Sequence, residues 1–186
     1  HAQQHLGMAC TGHTAESVFR AVNVVRPSLV RVEADEVTYD LHVMIRFELE
    51  LAMIEGDLGA TNLPEHWDRL YRSHLGIRVP DDRAGCLQDV HWSCGLFGYF
   101  PTYTLGNLYA ASLGKTMEAQ IPSLWSDAEK GDFSRPLAWL RERVHRTGHL
   151  HETPEIVKNA VGERDHVEDL LGYLWQRVGT LYGVTR

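Results

Sequence analysis

An all-α fold of seven or eight helices in one domain is what the sequence predicts, and three observations carry that prediction. Apolar residues recur at helical spacing, about every 3.6 residues, in one segment after another. Proline and capping residues stand before these segments, and glycine stands after them. No pair of alternating, strand-like runs is visible, and no unit repeats along the chain. With 186 residues, 44% of them hydrophobic, the chain is long enough to bury a core. No linker long enough to divide it is apparent, so a single domain over residues 1–186 is expected.

The elements follow in order. Thr14-Ala-Glu-Ser17 reads as a cap before SVFRAVNVV, with Val18, Val22 and Val25 at helical spacing. The strongest segment runs from Val32 to Ile54, entered through Pro27-Ser28 and ended by Gly56 and Gly59. Val37, Leu41, Ile45, Leu49 and Ala52 form one apolar row; Met44, Phe47, Leu51 and Ile54 form a second. Asp35, His42, Arg46 and Glu50 take the remaining face, and an apolar arc this wide predicts a largely buried helix. Pro64 opens a helix whose inner side is Trp67, Leu70, Tyr71 and Leu75, and residues 79–86 read as a loop. Further helices are predicted over Thr104–Ile121, Ser123–Lys130, from Ser134-Arg135-Pro136, from Thr153, and over His166–Tyr182. Between Trp92 and Tyr109, aromatics and glycines crowd too densely for a plain amphipathic helix. That stretch suits either the lining of a concave site or an aromatic corner between helices.

Charge narrows the functions. Eighteen Lys and Arg against 25 Asp and Glu give a formal charge of -7. Such a chain, with no basic block, lacks the means to neutralise nucleic-acid phosphates or to sit on an anionic membrane. No stretch approaches the roughly 18 apolar residues of a membrane span, and the first residues do not have the pattern of a secretory signal. Three cysteines, Cys10, Cys86 and Cys94, make no disulfide framework and fit a cytoplasmic protein.

Familiar catalytic constellations are absent from the local spacing. The pairing of two histidines one turn apart with a glutamate between them, as in His-Glu-x-x-His, does not occur. His145, His149 and His151 are an incomplete metal trio interrupted by Gly148, and His1 with His5 offers only a pair. No metal ligand set is therefore expected in this chain. No G-x-S-x-G elbow, CxxC pair or phosphate loop is present. The informative segment is Gly85-Cys-Leu-Gln88-Asp89-Val-His91-Trp92, which puts hydrogen-bonding groups where a core would want aliphatics. Asp89 serves equally as a helix cap or as the group that orients His91. Arg31 and Asp35 have the spacing of an ordinary i,i+4 ion pair.

The string GCLQDVHW resembles the G-x-x-Q-D-x-H-W motif of the Taq-type thermostable zinc metallocarboxypeptidases. Arg31-Val-Glu-Ala-Asp35-Glu36 is similar to that family's R-x-x-A-D-D/E motif, and GLFGYFPTYTLGNLYAA resembles its carboxy-terminal half. The resemblance runs from about Phe19 to Tyr182. It implies a largely helical fold with a deep groove, homodimers, and metal-dependent removal of the C-terminal residue of peptides. It also implies that the Zn2+ ligands belong to a His-Glu-x-x-His helix and a His-Glu-Ser segment N-terminal to the part matched here.

From the resemblance, His91 and Tyr103, with Tyr99 in reserve, are expected to donate to the oxygen that becomes negative when the scissile carbonyl is attacked. Arg31 is expected to recognise the peptide's free carboxylate, held by Asp35 one helical turn on, with Gln88 and Asp89 orienting His91. The expected partners are a peptide C-terminus and a second copy or the metal-bearing half. A non-catalytic helical binding module is the alternative, and a unit that obtains its zinc helix from a second polypeptide is another. As a portion of a larger fold, the chain should leave part of the long helix's apolar surface uncovered or buried by pairing.

Overall fold

The computed structural model describes Gly7 and residues 11–185. His1, His5 and Cys10 lie outside the described residues. Among the described residues the chain is all-helical, with eight α-helices and no strand. They are α1 (Ala15–Val22), α2 (Tyr39–Glu55), α3 (Leu63–Leu75), α4 (Pro101–Gln120), α5 (Leu124–Ala128), α6 (Ser134–Arg143), α7 (Thr153–Val161) and α8 (His166–Leu174). The last runs on through a π turn, Trp175–Gly179, to a final turn at Thr180–Tyr182. None of these helices is long and apolar enough to cross a membrane.

The chain packs as two compact units: Ala21–Gly106, and the residues up to Arg20 together with those from Asn107 on. The division falls inside α1 and inside α4 rather than at linkers. In the Ala21–Gly106 unit the core gathers Ile45 and Leu49 of α2, Trp67, Leu70, Tyr71 and Leu75 of α3, and Leu58 and Cys86 from the loops. In α3, Pro64 sits in the first turn, where its missing N–H costs nothing, and the apolar residues at helical spacing all face inward. Gly56 ends α2 at φ 85°, the left-handed conformation in which its N–H reaches back to the Ala52 and Met53 carbonyls.

The other unit has its own core of Met117, Ile121, Trp139 and Ala160. There the buried Asp169 carboxylate binds Ser112, Lys115 and Arg164, and Ser112 meets His166 at 2.7 Å. Asp165 caps α8, its Oδ1 accepting from the N–H groups of Val167 and Glu168 at 3.0 Å each. Asp165→Ala should therefore cost about 1 kcal/mol in urea unfolding, and Asp165→Asn much less.

Two expectations for the long helix need correction. It begins at Tyr39, not Val32, because Asp35 acts as a capping residue. The Asp35 carboxylate accepts from the N–H groups of Val37 and Thr38 and from the Thr38 hydroxyl, while Ala34 before it is extended. The helix is also turned about its axis relative to the expectation. His42, Arg46 and Glu50 face inward and are buried, whereas Met44, Phe47, Leu51 and Ile54 are 47, 49, 45 and 70% exposed. The first apolar row does face the core, through Ile45 and Leu49.

Candidate functional site

The inward row of α2 builds a polar layer under the motif loop. Arg46 is fully buried, and its guanidinium is spent on four partners. Nε donates to Asp89 Oδ2 at 2.6 Å, Nη2 to Gln88 Oε1 at 2.8 Å, and Nη1 to the His42 carbonyl at 2.8 Å and the Tyr71 hydroxyl at 3.3 Å. Its Cζ lies 4.6 Å from the Trp67 ring centroid. One turn away on either side, His42 Nδ1 meets the Tyr71 hydroxyl at 3.0 Å, and Glu50 accepts from the Trp92 indole at 2.8 Å. Burial, reinforced by the Arg46 and Arg31 charges, holds the His42 imidazole down to about 4, so the ring is neutral. Burial likewise pushes the Tyr71 phenol up.

Arg31 reaches the same loop from the short 3-10 turn Arg31–Glu33. It is 5% exposed; Nη2 donates to Asp89 Oδ1 at 2.7 Å and Nη1 to the Tyr39 hydroxyl at 2.9 Å. Each oxygen of Asp89 thus serves a different arginine. Burial would raise the Asp89 carboxyl, but the hydrogen bonds from both arginines and their charges outweigh it and keep the pKa below the usual range. Burial opposes the Arg31 charge too, and the Asp89 contact reverses that and lifts its pKa. Gln88 finishes the lock: Oε1 accepts from the Arg31 backbone N–H at 3.0 Å, and Nε2 donates to the Leu29 and Ala84 carbonyls at 3.0 Å each.

The motif loop is inside out by the usual rule. Leu87 and Val90 are exposed, while Gln88 and Asp89 point inward. Gly85 lets the loop close, since a Cβ there would stand 2.9 Å from the Val79 side chain and 3.0 Å from the Asp81 carbonyl. Two residues past Asp89, the His91 Nε2 lies 3.0 Å from the Tyr103 hydroxyl at the start of α4. The Nδ1 of His91 is buried without a hydrogen-bond partner, 3.8 Å from Asp89 Oδ1. The Arg31 guanidinium lies 4.9 Å from the Tyr103 ring centroid. The aromatic stretch is a packed corner around buried Phe100, whose ring lies tilted 4.3 Å from that of His91 and meets Trp92 edge-on at 5.9 Å. Tyr99 lies at its exposed edge, 5.8 Å from His91 and 5.5 Å from Tyr103.

Of the residues expected at the site, Arg31, Gln88, Asp89, His91, Tyr99 and Tyr103 stand together. Asp35 does not hold Arg31: the extended Ala34 breaks the helical turn between them, and Asp35 spends its carboxylate on capping and on the Arg26 N–H. The partner that holds Arg31 is Asp89, 58 residues away. The residues missed are Arg46, Tyr39 and Tyr71; the signal available for the first was the polar row His42, Arg46, Glu50 on a helix otherwise too apolar for the surface. Among the described residues no group of three His, Cys, Asp or Glu stands together as metal ligands. His151 pairs instead with Glu155 at 3.2 Å. The described residues do not by themselves fit a metal centre.

The family model described as carboxypeptidase Taq (M32) metallopeptidase matches residues 1–178 of this chain. The chain belongs to the Taq-type (M32) carboxypeptidase family. Within that family it is 48% identical over 163 residues to thermostable carboxypeptidase 1 of Thermus thermophilus, covering 88% of this chain and 32% of the relative. Carboxypeptidase 1 of Bacillus subtilis is 43% identical, with the same coverage. The crystal structure of the M32 carboxypeptidase from Deinococcus radiodurans matches with a TM-score of 0.92 and 42% identity, over 98% of this chain and 37% of that one. Pyrococcus furiosus carboxypeptidase matches with a TM-score of 0.88 and 37% identity, over 94% of this chain and 35% of that one. The chain thus spans about a third of the length of the M32 relatives it matches.

Proposed function

We propose that this chain is the C-terminal, substrate-binding and transition-state-stabilising portion of a metallocarboxypeptidase that removes the C-terminal residue of peptides. The single observation that carries this reading is the His91–Tyr103 contact at 3.0 Å, beside a motif whose Asp89 is clamped between two buried arginines. With the His91 Nε2–H donating to the Tyr103 oxygen, the Tyr103 hydroxyl is left to donate to an attacked peptide carbonyl as its oxygen gains charge, and His91 sets its direction. Arg31 and Arg46 outnumber Asp89 by one positive charge, which favours a substrate carboxylate near Tyr103 although both Nη groups of Arg31 are held by Asp89 and Tyr39, and Gln88 and Asp89 fix the loop on which His91 rides. Tyr99 closes the exposed side of the dyad.

The metal of this reading is Zn2+, held by residues outside those described here, and the isolated chain is inactive. The uncovered row Met44, Phe47, Leu51 and Ile54 supports a chain made to be covered by the metal-bearing portion. The same row would serve a non-catalytic assembly module or a homodimer, which is the second reading.

The test has two arms. The isolated chain should bind no stoichiometric zinc and release no C-terminal residues; measurable release would overturn its inactivity. A chimera in which this chain replaces the matching third of the Deinococcus radiodurans carboxypeptidase should be active, and Tyr103→Phe or His91→Gln should lower kcat by about 10²-fold. A folded, zinc-loaded chimera whose kcat ignores both changes would favour the assembly module.

A further inference from the structure

We infer that Arg46 is a positioning residue for the His91–Tyr103 pair, acting from the buried face of α2 through Asp89 and Gln88. This rests on the function proposed above, but neither resemblance motif contains Arg46. Its Nε and Nη2 grip the two residues that precede His91 by two and three positions, at 2.6 and 2.8 Å. Its Nη1 ties the same fork to the His42 carbonyl of α2, and so to a rigid helix turn. Asp89, held on Oδ2 by Arg46, passes its other oxygen to Arg31, whose guanidinium lies over the Tyr103 ring. Both halves of the pair are therefore referenced to one buried side chain, His91 along the loop and Tyr103 through Arg31. The ring of Phe100, 5.4 Å from Arg46, 5.5 Å from Arg31 and 4.3 Å from His91, fills the space between them.

A guanidinium is suited to this task and an ammonium is not. Its planar fork presents donors in fixed directions, so one side chain spans Asp89, Gln88 and the His42 carbonyl together. A lysine would keep the charge and engage one of those acceptors at a time. His91 carries no other hydrogen bond that sets its ring, because its Nδ1 is buried and unpartnered. Loss of the Arg46 fork should therefore free the imidazole from Tyr103 without removing either residue.

The test reads the ring directly. Long-range 1H–15N correlation spectra of the chain, with His91 assigned by His91→Gln, should show a hydrogen-bonded Nε2 that Tyr103→Phe abolishes. Arg46→Lys should move the His91 signals to their positions in Tyr103→Phe. A folded Arg46→Lys with wild-type His91 signals and only a lower urea midpoint would overturn the inference. If Arg46→Lys does not fold, Arg46→Gln, which loses the planar fork and the charge but leaves Gln88 and Asp89 in place, decides by the same criterion. In the chimera, Arg46→Lys should lower kcat about 10²-fold with little change in KM, as a displacement of about 1 Å at a reacting group does. Should Tyr103→Phe leave the chimera's kcat intact, the proposed function fails while the ring spectra still settle the role of Arg46.

Discussion

Asp89→Ala should lower the unfolding free energy of the Ala21–Gly106 unit by about 3–5 kcal/mol, the range for stripping the partner from a buried charge. The reason is asymmetric. Asp89 is one carboxylate between two guanidiniums, with Oδ1 on Arg31 at 2.7 Å and Oδ2 on Arg46 at 2.6 Å. Side-chain exposure is 11% for Asp89, 6% for Arg31 and zero for Arg46, so water cannot replace the lost acceptor at the inner arginine. The variant leaves two like charges facing the same apolar gap. Asp89→Asn keeps one acceptor oxygen and should fall between the variant and the wild type. Replacing Arg46 and Asp89 together, by methionine and asparagine, should cost clearly less than the two single changes added, since neither partner is left exposed to the other's absence. Urea midpoints at neutral pH measure all of this. A loss under about 1 kcal/mol for Asp89→Ala would mean that Tyr39, Gln88 and the His42 carbonyl satisfy the arginines unaided.

How much of this was legible depended on whether a residue obeyed the rule that polar groups face water. Helix α3 obeys it, and its proline, its inward residues and its terminal glycine were all readable from local spacing. Helix α2 breaks it. Its periodicity announced a buried helix but not which face was innermost, because Arg46 pays for burial with partners that lie 42 and 43 residues away in the chain. Pattern reading ranks such a residue as surface, so it set His42, Arg46 and Glu50 outward and could say only that some of the apolar surface would be uncovered, not that the row with Phe47 and Ile54 would be. The same blindness produced the Arg31–Asp35 pairing: i,i+4 spacing is meaningful only on a helix, and Asp35 ends the non-helical stretch by capping the turn that follows. The motif GCLQDVHW was legible for the opposite reason. Its polar residues are adjacent, so its departure from amphipathic order shows within eight letters, and the resemblance attached to it supplied His91 and Tyr103 together.

Stability should fall in two stages as the solution is acidified, and the first belongs to His42. Its imidazole is held at about 4 in the folded chain, against an ordinary value near 6.5 when unfolded. Above pH 6.5 the ring is neutral in both states, and its contribution is fully present. Between 6.5 and 4 the unfolded chain takes up a proton that the folded chain refuses, so stability rises with pH across this window and is lost on descending it. The amount is about 3 kcal/mol for a difference of this size. The structure supplies the cause: the Tyr71 hydroxyl donates to the Leu29 carbonyl and so accepts from Nδ1–H, which leaves Nε2 as a buried nitrogen with no acceptor nearby to receive a second proton. The second stage begins in the ordinary carboxylate range, where the unfolded chain protonates Asp89 and Asp169 while the folded chain, holding both low with their cationic partners, does not; it continues as pH falls through their lowered folded values. Urea unfolding at half-unit steps from pH 7.5 to about 2 would resolve the two. His42→Gln should abolish the slope between 6.5 and 4 whatever it does to absolute stability, while Tyr71→Phe should retain it, because burial and the Arg46 charge set the shift. An identical slope in wild type and His42→Gln would show that the first stage arises elsewhere and that the His42 ring takes up its proton as readily in the folded chain as in the unfolded one.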